Sequence, residues 1–161
     1  MMKKILWTLA ILLVAIQFIR PSENKSDGPQ TNAVDTKYAV SADVKTILEK
    51  ACNDCHSNNT RYPWYNKIQP VAWWLALHVK KGKKEINFDE FASYSLRRQY
   101  HKLEEIEEQV KEGKMPLPSY TITHKDAVLT NEEKDALLAW VDSSRAAMEA
   151  QYPLDSLIRK K

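Results

Sequence analysis

The sequence predicts an all-α domain, a bundle of about four to five helices preceded by a separate apolar helix at the N-terminus. Three observations predict it. Only three glycines occur in 161 residues. Beyond residue 40 the apolar side chains recur at spacings of three and four rather than alternating, the period of a helix face and not of a half-buried strand. Residues suited to starting and stopping helices bracket those stripes. The length fits one domain with appendages, divided here as residues 1–20, 21–40, 41–150 and 151–161.

The first appendage opens with Met1-Met2-Lys3-Lys4 and continues in an apolar run from Ile5 to Ile19, interrupted only by Thr8 and Gln17. A basic start before an apolar core is an export signal, and its positive end stays in the cytoplasm. Fifteen helical residues reach about 22 Å, short of the ~30 Å hydrocarbon core. Lys4 and Arg20 can snorkel to make up the difference. Gln17-Phe18-Ile19-Arg20 is too bulky for a small-x-small cleavage site. An uncleaved anchor is therefore expected, with a removed signal peptide as the alternative. In the first case the domain sits on the periplasmic side of a bacterial inner membrane, and in the second it is exported. Residues 21–40 are polar and read as a flexible tether.

Charge adds an exclusion. The formal net charge is +3, from 24 basic and 21 acidic residues, but residues 1–20 hold three bases and no acid. The remainder is balanced at 21 against 21, without the concentrated basic surface that nucleic-acid binding needs.

Ser41 suits an N-cap, and Val44, Ile47, Leu48, Ala51 and Cys55 form one stripe behind it. This helix runs into Cys52-Asn53-Asp54-Cys55-His56, which holds both cysteines of the chain. Two thiols three residues apart lie on one side of a helical turn and can add to the two vinyl groups of one haem, with His56 falling under the iron. C-x-x-C-H is the c-type attachment signature. A zinc site needs about four ligands, and no second cysteine pair exists. A thioredoxin-like pair wants a βαβ context, and a disulfide across so short a loop stabilises little.

Tyr62-Pro63-Trp64-Tyr65 follows a polar turn. These rings are expected to pack in the core or wall a porphyrin, with Arg61, Tyr62 or Trp64 donating to a propionate. Pro70 opens the next helix; Val71, Trp74, Leu75, His78 and Val79 mark its apolar side, and Gly82 is expected to end it among Lys80, Lys81, Lys83 and Lys84. That lysine cluster is either a solvated helix end or a docking patch for an acidic redox partner. Ile86-Asn87-Phe88 reads as extended, with Asp89 capping a short turn through Phe91. Leu96, Tyr100, Leu103, Ile106 and Val110 give the next helix, which Gly113 terminates. His101 reads as exposed.

Met115 stands in a loop stiffened by Pro116 and Pro118. A thioether there is the expected sixth iron ligand, favouring the reduced state, with His124 and His78 as alternatives. Thr130 and Glu133 form a capping box, and Leu137, Leu138, Val141 and Met148, with Trp140, give the last helix an apolar side that should cross the first. Tyr152-Pro153 stops it before a short basic tail.

This order of parts looks like a small single-haem cytochrome c. More narrowly, residues 41–142 resemble the haem-binding domain family through Cys52-Asn-Asp-Cys-His-Ser-Asn, Tyr62-Pro-Trp-Tyr, Trp73-Trp74, His78-Val79, Asn87-Phe88, Met115-Pro116 with Ser119-Tyr120, and Leu129-Thr130. The resemblance implies one haem c held covalently by Cys52 and Cys55, with iron bound by His56, and Trp74 belongs to its tryptophan-rich middle. It supplies no reaction. Electron carriage between redox partner proteins, with residues 5–19 in the membrane, is favoured over a haem enzyme or a gas or redox sensor with an open or displaceable sixth site. A haem-bearing interaction module beside a partner oxidoreductase is the third possibility.

Overall fold

A computed structural model of the chain describes residues 1–158, and their regular structure is entirely helical. The helices are α1 (Met2–Ile16), α2 (Ala42–Ala51), α3 (Asn53–His56), α4 (Val71–Glu85), α5 (Leu96–Lys111), α6 (Pro118–Thr121), α7 (Asn131–Gln151) and α8 (Leu154–Leu157). Single 3-10 turns at Val34–Thr36, Trp64–Lys67, Phe88–Ser93 and Lys125–Ala127 join them.

Local chemistry sets the starts. Ser41 Oγ accepts from Val44 N at 3.3 Å, and Ser95 caps α5 in the same way through Arg98 N. At α7 the box closes in both directions: Glu133 N donates to Thr130 Oγ1 at 3.2 Å, and Thr130 N donates to Glu133 Oε2 at 2.9 Å. The stripe Val44, Ile47, Leu48 and Ala51 is buried against α7, whose own Leu137, Trp140, Val141 and Met148 are buried too. Lys50 and Glu133 lock that crossing at 2.6 Å. α5 packs Tyr100, Leu103 and Val110 onto the other side of α7, and Arg145 reaches across to Glu104 and Glu107.

Four expectations need correction. α4 does not stop at Gly82 but continues to Glu85. A Cβ on Gly82 would lie 2.5 Å from the Cys55 carbonyl oxygen, so the glycine is a close-approach residue where α4 lies against α3. The buried line of α4 is Ala72 and Val79, while Trp74 is largely outside, because α3 and not a broad core covers this helix. The turn after Phe88 is capped by Asn87, whose side chain accepts from Asp89 N at 3.1 Å.

The fourth concerns residues 21–40, which lie against the domain rather than swinging free. Asn24 Nδ2 donates to Ser57 O and to Thr60 Oγ1, Asn58 Nδ2 donates to Gln30 Oε1, and Val34 and Tyr38 are buried. Polar side chains that cannot build a core can still tie a strap down, provided the surface offers partners. The end of the chain also packs, with Leu157 buried beside α5; the basic residues 159–161 lie outside the described residues. α1 buries none of its side chains, and among the described residues no helix is long and apolar enough to cross a membrane.

Candidate functional site

α2, α3, α4, α5 and the loop that carries Met115 enclose a cavity of about 580 Å³, within the usual range for a small-molecule or cofactor site. Cys52, Cys55 and His56 all line it, and so do Met115 and His78. Apolar walls come from Leu48, Ile86, Phe88, Ile106, Val110 and Leu137. Side chains 59 residues apart in sequence, His56 and Met115, thus meet one space because the C-terminal end of α5 delivers the loop over α3.

The attachment turn is held from below. Asp54, 6% exposed, accepts from Arg61 N and Arg61 Nε at 3.0 and 3.1 Å, and its other oxygen accepts from the Tyr120 hydroxyl at 2.7 Å. Thr60 Oγ1 donates to the Asp54 carbonyl at 2.7 Å. A buried carboxylate needs such partners, and here they join α3 to α6, which begins at Pro118 of the Met115 loop. Burial, and then the Asp54 hydrogen bond, raise the Tyr120 phenol pKa, so the hydroxyl stays a donor.

His56 Nδ1 lies 3.1 Å from the Ile86 carbonyl, which can only accept. Nδ1 therefore carries the hydrogen and Nε2 keeps its lone pair. Burial lowers the imidazole pKa, against the pull of the Ile86 carbonyl, leaving the ring in the neutral form that binds metals. Phe88 meets it edge-on at 6.4 Å. The thiols are free of one another. Burial pushes Cys52 up to about 12 and Cys55 to about 11, with the charge of Cys55 adding at Cys52 and that of Asp54 at Cys55, so both are thiols at neutral pH.

The other expected positions separate. His78 donates from Nδ1 to the Trp74 carbonyl at 2.8 Å and packs on the Trp74 ring. His124 stacks on Tyr120 at 4.1 Å and is not part of the cavity wall. Arg61, Tyr62, Trp64 and Trp74 do not reach the cavity either. Asp54 holds Arg61; the Tyr62 hydroxyl accepts from Asn24 N at 2.7 Å; Trp64 and Trp74 turn outward. The residues missed were Gly82, Ile86 and Tyr120. Ile86 could have been found as one helical turn past Gly82; Tyr120 was marked only by the family resemblance, in Ser119-Tyr120, and without a role.

Chemically, the donor set fits haem: two thiols a turn apart, an imidazole with its outer nitrogen fixed and inner one open, a thioether, and apolar walls. Among the described residues no group of three His, Cys, Asp or Glu side chains could hold a bare metal ion. The family model described as haem-binding domain matches residues 11–143. The chain belongs to the haem-binding domain family. It is a haem protein. The chain is also similar to cytochrome c peroxidase Ccp of Escherichia coli (strain K12), at 24% identity over 127 residues, which is 74% of this chain and 27% of the relative. It thus spans about a quarter of the curated relative it matches. No solved structure matches the haem-binding domain described here.

Proposed function

We propose that the protein is a membrane-tethered c-type cytochrome that passes electrons between redox partners from the periplasmic side of a bacterial inner membrane. A bound haem supplies a one-electron couple at its iron. Cys52 and Cys55 would hold it by adding their S–H groups across its vinyls. His56 would present Nε2 to the iron, oriented by Ile86, and Met115 would present its sulfur. Apolar walls would exclude water and hold both ligands still through the redox change. The observation that carries this reading is that Cys52, Cys55, His56 and Met115 line one cavity. Support for the tether is the apolar run from Ile5 to Ile19, all outside the core.

The test is the absorption spectrum of protein matured with covalent haem. The far-red ferric band that marks methionine–iron bonding should be present and should vanish in Met115→Ala. A second reading, a haem enzyme with a displaceable sixth ligand, has two observations in its favour: His78 lines the same cavity, and the curated relative is named a peroxidase. Rapid carbon monoxide binding by unmutated reduced protein, with slower binding or altered turnover in His78→Ala, would replace the carrier reading with this one.

A further inference from the structure

Near the N-terminus of α4 the surface carries large apolar groups that the haem cavity does not use. Trp64 is 75% exposed, and Ile68, Trp73 and Leu77 are exposed as well, on a turn and a helix that pack together. Trp73 and Leu77 share a face of α4 at i, i+4, and Trp64 and Ile68 come from the turn just before it. None of these side chains has core to cover. Lone exposed apolar residues are ordinary, but a cluster with two tryptophans marks an interaction surface.

What covers it is indicated by the chain that arrives there. Gln17, just past the end of α1, accepts from Gln69 N through Oε1 at 2.9 Å and donates from Nε2 to Gln69 O at 3.3 Å. Gln69 is buried, and its Nε2 donates to Ile19 O at 2.7 Å, which the Trp73 indole N–H also reaches at 3.0 Å. Arg20 donates to Lys67 O at 3.1 Å. The foot of the apolar helix is therefore bonded to the tryptophan-bearing corner, and Phe18 and Ile19, both exposed, lie in the chain at that junction. Around the cluster stand Arg20, Lys67 and Lys80, all exposed. Indoles beside an apolar helix, rimmed by bases, are the composition of a membrane–water boundary, where amphipathic rings sit at headgroup level and bases meet anionic lipid.

We propose that this face, Trp64, Ile68, Trp73 and Leu77, seats the haem domain on the bilayer interface, so that the domain rides on the membrane in one orientation. The inference rests on the tether reading and adds to it a second, independent contact with lipid. α4 then has two sides with different work: Gly82 and His78 toward the cavity, and Trp73 and Leu77 toward lipid.

The experiment uses the full chain carrying haem, in which thioether bonds occupy Cys52 and Cys55, placed in nanodiscs of phosphatidylethanolamine and phosphatidylglycerol. Single cysteines are introduced as Leu12→Cys in α1, Trp64→Cys and Leu77→Cys in the seat, and Asp142→Cys on the exposed side of α7. All four positions are exposed, so the fold should tolerate them, and the haem spectrum verifies it. The rate of reaction with a charged, membrane-impermeant maleimide is normalised to that of each unfolded variant. Seating predicts that positions 12, 64 and 77 react at least about tenfold more slowly than 142, as sites open only a small fraction of the time. Fast reaction at 64 and 77 with protection at 12 overturns the seat and leaves the tether standing. Fast reaction at 12 as well overturns the tether reading and the seat with it. Protection at 64 and 77 that requires two copies per disc overturns lipid seating in favour of a contact between copies of this chain.

Discussion

Replacing Gly82 by alanine sets two effects of opposite sign against each other. In an exposed helix interior the change stabilises by about 1 kcal/mol, since glycine is the poorer helix former. Here the new Cβ would sit 2.5 Å from the Cys55 carbonyl oxygen, and ordinary contact begins at 3.4 Å, so α4 must retreat by about 0.9 Å. The obstacle is backbone and cannot rotate away. A gap of 0.5–1 Å forfeits roughly a quarter to a half of each dispersion contact it opens. Overpacking of this kind costs about 1–3 kcal/mol, which leaves a net loss of up to about 2 kcal/mol after the propensity gain. For a chain of this size that lowers the melting temperature by up to about 8 °C. Ile86 N bonds to Gly82 O at 2.9 Å, so retreat of α4 also draws the Ile86 carbonyl away from His56. Far-UV circular dichroism melts of haem-loaded Gly82→Ala and Gly28→Ala provide the comparison, because a Cβ at Gly28 meets nothing within 4 Å. A melting temperature for Gly82→Ala above that of the parent would refute the reasoning.

Tyr120→Phe removes the hydroxyl that donates to Asp54 at 2.7 Å and should cost about 1–3 kcal/mol, read by denaturant titration. Because that bond ties α6 to α3, carbon monoxide should also bind the reduced variant faster than the parent; an unchanged rate would show that the Met115 loop is held elsewhere. At Glu133 the Lys50 ammonium and then the Thr130 N–H hold the carboxyl below its ordinary 4.5. The unfolded chain binds that proton more readily, so the contribution is complete above about pH 4.5 and is lost as the pH falls through the lower folded value. The stability gap between the parent and Glu133→Gln should therefore be widest near neutrality and shrink in acid, measured as denaturation midpoints across that range. Gly113, at φ +67°, closes α5 in a left-handed conformation, and Gly113→Ala should lower the unfolding free energy, measured by denaturant titration, by about 1 kcal/mol despite having open space around it.

Much of this could be read from residue order because its causes are local. Ser41, Thr130 and Glu133 act within three residues of themselves, and the stripes of α2, α5 and α7 repeat the helical period, so caps and buried faces followed. The helical turn that carries Cys55 and His56 was legible for the same reason. Gly82 was not: a glycine near a run of lysines carries the same letters whether it ends a helix or lets another backbone come close, and only the position of Cys55 decides. Tryptophan was misleading in a similar way. Trp64 and Trp74 read as walls of a haem pocket because large rings usually find core, whereas α3 occupies the side of α4 that could have taken them. The strap of residues 21–40 was hidden in its composition, although Val34 and Tyr38, four apart, are its buried pair.

That strap changes how far the redox centre can travel. Twenty free residues would let a domain wander roughly 25 Å from its point of attachment, enough to fish for partners above the surface. With Gln17 clasped to Gln69 and Asn24 pinned beside Ser57 and Thr60, the leash has no slack. For the carrier proposed above, donor and acceptor would each have to come to a stationary post, and traffic through it would be governed by their arrival rather than by its reach.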